Sequence, residues 1–191
     1  MASLAIADPP YLGRAALWYG SAPARTYVGQ TPGRARGRSH TAVEHHHDAD
    51  RWDDADSHIG LIQRLEAEFD GWVLAASSKT FPALACGIPD TARVAVWHVT
   101  NAIPDGARVG NRWEPVIVRV PDSRRARRPG GLPVWDVLTA PHPQSGFVGA
   151  KPEAWVRWVL DMLGHEAGDE VVDLFPGSGT VDRVLREGVL L

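Results

Sequence analysis

A chain of 191 residues, 44% hydrophobic and 23% charged, carries enough apolar mass for one domain with a sizeable core. No apolar run approaches the roughly 18 residues that cross a bilayer, and no basic segment leads into an apolar stretch and cleavage site, so neither a span nor an export signal is expected. A formal charge of −3 argues against a non-specific polyanion binder, and a lone cysteine, Cys86, leaves no internal disulfide, so residues 1–191 read as one soluble cytoplasmic domain.

In chain order, "SLAIAD" is short, apolar and stopped by two prolines, the pattern of a buried strand ending at Asp8. Residues 19–55 have no apolar period, only Gly, Pro, Arg, His and Asp, which predicts a mobile or disordered loop suited to gripping a target. "SHIGLIQRLEAEF" places Ile59, Ile62, Leu65 and Phe69 on one face of a helix, with Ser57 as its cap. "GWVLAAS" reads as a strand and "FPALAC" as a short helix. "ARVAVWHVT" and "EPVIVRV" read as two strands of an antiparallel hairpin across a turn-rich connection. "KPEAWVRWVLDML" predicts a helix with Pro152 in its first turn and Trp155, Val159 and Met162 on one face. "DEVVDLF" is a further strand, and "SGTVDRVLREG" a final helix ending at Gly188. Strands alternating with helices predict an α/β sheet, largely parallel, with one hairpin.

The modest net charge hides clusters. Arg34, Arg36 and Arg38 stand in one loop, and Arg124, Arg125, Arg127 and Arg128 in another, a short Arg-rich loop over 121–133. Solvated connections and phosphate contacts are both open readings of such loops. His45, His46 and His47 are consecutive in a loop, a geometry that rarely converges on one ion, so no metal site is expected. Of the eight tryptophans, Trp72, Trp97, Trp155 and Trp158 fall on apolar elements and read as core.

Two strand ends carry the chemistry. In open α/β sheets ligands sit beyond the carboxyl ends of the strands. At "DPPY", Pro9 and Pro10 stiffen the backbone and remove two donors, leaving carbonyls that only accept. The Asp8 carboxylate beside them makes an acceptor pair for an amino group, and Tyr11 adds a flat stacking face. Such a corner suits an extruded nucleobase. At "DLFPGSGT", Gly177 and Gly179 allow backbone to approach a ligand ahead of a helix N-terminus, although a plain tight turn would look the same. It is not a Walker loop, since no Lys-Ser or Lys-Thr pair follows.

With both corners in view, the sequence resembles the S-adenosylmethionine-dependent amino-methyltransferases of DNA. "DPPY" is similar to their catalytic motif, and Asp173 to Thr180 to their methyl-donor motif. The order, catalytic motif first and donor motif last, resembles the permuted β class. "RWEPVIV" and "VWDVLTAPHP" followed by "GAKPEAW" resemble that class's intervening segments.

The resemblance implies a Rossmann-like methyltransferase sheet, circularly permuted, and transfer of a methyl group from S-adenosylmethionine to adenine N6 in DNA. It casts Asp8, Pro9, Pro10 and Tyr11 as catalytic, with Trp113 facing the other side of the base. It casts Asp173, Phe175, Gly177, Ser178, Gly179, Thr180, Lys151 and Pro152 as donor-binding. The chain stops at "REGVLL", where the class continues into a strand whose acid holds the donor ribose, so the implied sheet lacks its C-terminal strands. The short 121–133 loop stands in place of a recognition region, which implies relaxed target choice, or choice supplied by residues 19–55, a second copy or a specificity partner. The alternatives are a noncatalytic DNA-binding relic and a cytosine-N4 or RNA methyltransferase.

Overall fold

The computed structural model describes residues 1–20, 48–103, 107–126, 130–143, 147 and 149–188. Six strands, β1 (Ser3–Ala7), β2 (Gly71–Ala75), β3 (Arg93–Val99), β4 (Trp113–Arg119), β5 (Val137–Ala140) and β6 (Glu170–Asp173), form one sheet in the order β5-β3-β4-β2-β1-β6. β1 runs parallel to both β2 and β6, β5 runs parallel to β3, and only β4 is reversed. The expected parallel α/β sheet with one antiparallel hairpin is therefore the architecture found. The helices are α1 (Ala15–Tyr19), α2 (Ala55–Glu68), α3 (Glu153–Leu163) and α4 (Thr180–Arg186). None of the described helices is long and apolar enough to cross a membrane.

The sheet is covered on both faces, which is why its central strands read as continuous apolar runs. Alternate residues Leu4, Ile6, Val73, Val116 and Trp97 join Trp155, Val156, Val159 and Leu163 of α3 and Val184 of α4 in one core. Ala5, Ala7, Trp72, Leu74 and Ile117 face the other way, onto Leu61, Ile62 and Leu65 of α2. Burying each such Leu, Ile or Val side chain is worth about 1.5–3 kcal/mol, so the two faces together hold the sheet in register.

Several boundaries differ from expectation for local reasons. α2 opens two residues before Ser57, because Asp54 is the residue with extended backbone and its carboxylate accepts the Asp56 N–H. Pro152 precedes α3 as its cap instead of lying in its first turn, and α4 ends at Arg186, before Gly188. α1 and β5 were not expected. α1 has only five residues, too few for a period to show, and β5 is an edge strand exposing Val137 and Thr139. β5 is held by its ladder to β3 and by the Trp97 indole N–H, which donates to the Ala140 carbonyl at 3.1 Å.

Of the stretch 19–55, residues 21–47 lie outside the described residues, and with them Arg34, Arg36, Arg38, His45, His46 and His47. At its far end Ala49–Asp53 forms a 3-10 turn, and the Asp53 carboxylate accepts the N–H groups of Ala15 and Ala16 at the start of α1.

Candidate active site

The parallel pairing of β1 with β6 aligns Ile6 with Asp173, and the Leu174 N–H donates to the Ile6 carbonyl at 3.0 Å. Strands from opposite ends of the chain thus deliver the Asp8 corner and the glycine turn to the same rim. One cleft there is lined by Ile6, Asp8 and Pro10 on one side and by Asp173, Phe175, Pro176, Gly177, Ser178 and Thr180 on the other. Lys151 and Trp155, from the entry to α3, form its floor with Gly149 and Ala150.

The glycine turn needs its glycines. Gly177 and Gly179 have φ of 43° and 70°, left-handed values that side chains with a Cβ rarely take. Asp173 accepts the Phe175 N–H at 3.1 Å, which curls the chain back at the strand end, and the Ser178 and Thr180 hydroxyls hydrogen-bond at 2.9 Å. Phe175 rests edge-on against Trp52 at 5.2 Å between ring centres. Trp52 in turn meets His58, a buried imidazole whose Nε2 lies 2.9 Å from the Trp52 carbonyl. The 3-10 turn Ala49–Asp53 therefore props the glycine turn and caps α1 at once.

The other corner is a compact charge network. The Lys151 ammonium, 8% exposed, lies 2.7 and 2.8 Å from the two Asp8 oxygens and 3.0 Å from the Tyr11 hydroxyl. That hydroxyl donates to Glu114 at 2.6 Å, and the same Glu114 oxygen lies 3.6 Å from the Lys151 nitrogen. The ammonium also sits 5.1 to 5.9 Å from the ring centres of Tyr11, Trp155 and Trp97. Beyond Glu114, His142 lies 3.8 Å from its second oxygen, stacks edge-on to Trp97, and has its backbone clasped by the Asn101 amide.

Two carboxylates here share one cation, and burial shows in the protonation of Asp8, Tyr11 and Lys151. Burial pushes the Asp8 carboxyl above its usual value, and the Lys151 charge only partly opposes it. Burial, with the Glu114 and Asp8 charges, pushes the Tyr11 phenol well up, so it stays a donor. Burial also works to discharge Lys151, but Asp8 and Glu114 outweigh it and the ammonium is held more firmly than usual. His142 is lowered by burial, against the pull of Glu114, which keeps it neutral near pH 7.

Expected residues fall into three groups. Asp8, Pro10, Lys151, Asp173, Phe175, Gly177, Ser178 and Thr180 share the cleft, with Pro9, Tyr11, Pro152 and Gly179 adjoining them in the chain. Lys151 lines the cleft shared with the glycine turn, and its charge is engaged by Asp8 and Tyr11. Trp113 stands on the same rim, 40% exposed, but strand alternation turns it to the face opposite Glu114 and Tyr11.

The second Arg-rich loop is elsewhere. Arg124 is 13% exposed and forks onto Asp169 at the opposite rim, with a further hydrogen bond to the Gly164 carbonyl, so its guanidinium is engaged within the protein. Arg125 is ion-paired to Asp122 beside it, while Arg127 and Arg128 lie outside the described residues. Glu114 and His142 were not singled out from the sequence, and Trp155, read as core, also lines the cleft. Glu114 hides at the start of an apolar strand, though a lone acid ahead of "PVIVRV" was the available signal.

Among the described residues no cluster of His, Cys, Asp or Glu is arranged to hold a metal ion. What the site offers is a cleft with a left-handed backbone turn on one wall and an over-supplied anionic corner on the other. The Trp155 indole N–H, buried beside the cleft, has no hydrogen-bond partner among the described residues. These features fit an organic ligand with both cationic and acceptor groups.

Fold and cleft together define a Rossmann-like α/β protein with a cleft at the carboxyl ends of β1 and β6. No family model matches the chain, and no curated protein matches it. Among solved structures, it is similar to a crystal structure of an M1.HpyAVI–SAM complex, with a TM-score of 0.57 and 14% identity over 97% of this chain and 77% of that one. A crystal structure of M1.HpyAVI is similar with a TM-score of 0.52 and 12% identity, covering 97% and 75%. At such identities the likeness establishes the shared fold.

Proposed function

We propose that this chain transfers a methyl group from S-adenosylmethionine to an exocyclic amino group of DNA, adenine N6 in the first instance. The observation that supports this most is the pairing of Ile6 with Asp173, which brings the acceptor corner and the glycine turn into one cleft. The likeness to an M1.HpyAVI–SAM complex adds weight for the donor.

The bound donor would supply a methyl group already activated on a positively charged sulfur. Asp173 and the Gly177–Gly179 turn would hold it, with the idle Trp155 N–H as a further donor to its acceptor groups. Asp8 and the Pro9 carbonyl would accept from the target amino group, which fixes the direction of the nitrogen lone pair. Such alignment of reacting atoms is the main catalytic demand of the reaction. Asp8 would also offset the positive charge that grows on that nitrogen, and its upward-shifted carboxyl is suited to take the released proton on Oδ. Tyr11, tied through its hydroxyl to Glu114, would form a wall that cannot swing away. Ile6, Phe175 and Val181 line the cleft and exclude water.

The test is incubation with methyl-labelled donor and DNA free of methylated bases, followed by nucleoside mass spectrometry. Label in N6-methyladenine is the expected result. Label in N4-methylcytosine would move the reading to the other amino group, and no label from a folded protein would overturn it. A noncatalytic reading draws on one observation, that Lys151 occupies both oxygens of Asp8. It predicts DNA binding without any calorimetric binding of S-adenosylhomocysteine.

A further inference from the structure

If Asp8 is to accept from an amino group, its cation must yield. Lys151 engages both Asp8 oxygens, and a ligand N–H would compete with an ammonium for them. An ammonium 8% exposed cannot simply turn to water, because leaving a buried charge without a counter-charge costs several kcal/mol. Among the described residues, Lys151 has two carboxylates within reach, Asp8 and Glu114.

We propose that Glu114 is a positioning residue: it takes over the Lys151 ammonium when a nucleobase amino group enters, and so frees Asp8 to receive that group. The inference rests on the function proposed above and adds the step by which the acceptor becomes available. The movement is small. Nζ must close from 3.6 Å to about 2.8 Å on Glu114 Oε2, within the freedom of a four-carbon side chain. The Tyr11 hydroxyl, 3.0 Å from Nζ and 2.6 Å from Glu114, bridges the two positions, so the ammonium keeps a partner throughout. The ring faces of Tyr11, Trp97 and Trp155 surround it at 5.1 to 5.9 Å and favour a cation at either end of the path. Total charge in the corner is unchanged by the hand-over and no proton moves. Without the second carboxylate, Lys151 stays on Asp8.

The experiment follows the Lys151 ammonium directly, by nitrogen NMR of lysine-labelled protein, with the resonance assigned through Lys151→Arg. The probes are 9-methyladenine and 9-methylpurine, which lacks the amino group. In the wild type, 9-methyladenine moves the Lys151 signal and 9-methylpurine does not. Glu114→Gln weakens 9-methyladenine binding about tenfold and leaves the signal in place, raising KM for DNA more than it lowers kcat. Glu114→Asp restores most of the affinity. Tyr11→Phe keeps the second carboxylate and so keeps the signal change.

An unmoved Lys151 signal with 9-methyladenine bound overturns the inference, as does Glu114→Gln with wild-type affinity and KM. So does Tyr11→Phe reproducing every effect of Glu114→Gln, since the phenol would then be the whole story. Should Glu114→Gln not fold, the wild-type and Glu114→Asp results decide. A wild type that methylates DNA while failing these criteria sinks the hand-over alone. A wild type that neither methylates DNA nor binds 9-methyladenine sinks the proposed function and the hand-over with it.

Discussion

At the amino-terminal rim of the sheet, Asp169 gathers more donors than it has oxygens: the Arg124 fork and the N–H groups of Ala2 and Glu166. At the carboxyl-terminal rim, Asp8 and Glu114 divide one lysine and one phenol between them. Asp169 and Asp8 are both drawn out of water, yet they titrate in opposite directions. The Arg124 hydrogen bonds hold Asp169 down at about 2, while burial lifts Asp8 above its usual value. Saturated acceptors make a brace, whereas competing acceptors make a place where an incoming donor has something to gain. The contrast separates structural from chemical use of the same residue types without reference to any relative.

The contrast can be broken by exchanging one atom at each rim. Asp8→Asn should cut methyl incorporation by about 100-fold or more, since it removes the charge and half of the acceptor capacity, with the protein still folded because Lys151 retains Glu114. Loss of the fold in Asp8→Asn, judged by circular dichroism, would show that this corner is a brace after all. Asp169→Asn should do the reverse. It leaves Arg124 facing a neutral group and should cost about 3 kcal/mol in urea unfolding, with the rate per folded molecule unchanged.

The pH dependence of stability sharpens the same point. Asp169 is depressed in the fold, so its contribution is complete above its unfolded value of 3.8 and is lost as pH falls towards about 2. Asp8 is raised, so its ionisation costs stability, and that cost is relieved as pH falls through its folded value. Urea midpoints between pH 6 and pH 2 should therefore fall more gently with acid in Asp169→Asn, and more steeply in Asp8→Asn, than in the wild type. The smallest effect is expected on the opposite wall of the cleft. Gly179→Ala forces a side chain into φ of 70° with open space around it, a strain of about 1 kcal/mol, and should weaken S-adenosylhomocysteine binding several-fold by calorimetry.

Much of this was legible because it is local. Apolar runs broken by Pro-Pro and by Gly-x-Gly mark β1 and β6 whatever surrounds them, and Trp155 declares its core face by helical spacing. The destinations of long charged side chains were not legible. Arg124 sits in a run of arginines that looks solvated, and only the fold brings it to Asp169, 45 residues away. Lys151 likewise opens a helix in sequence but ends beneath Asp8, 143 residues away. Glu114 escaped notice because its neighbours in β4 are apolar, and its partner Tyr11 is 103 residues distant. β5 escaped because an edge strand that exposes every second residue has little apolar signature.

The reversal of β4 carries a consequence for variation among proteins of this shape. Because that strand runs against its neighbours, its beginning, with Trp113 and Glu114, arrives where the other strands finish. The connection across residues 100–112 is thereby attached by both of its stems at the rim that carries the cleft, while the hydrophobic interior stays behind it. New chain grafted at its exposed stretch 107–110 would enter beside the cleft, clear of the anchored Asn101 and Ala102, which makes it the natural place for the surroundings of the cleft to be remodelled.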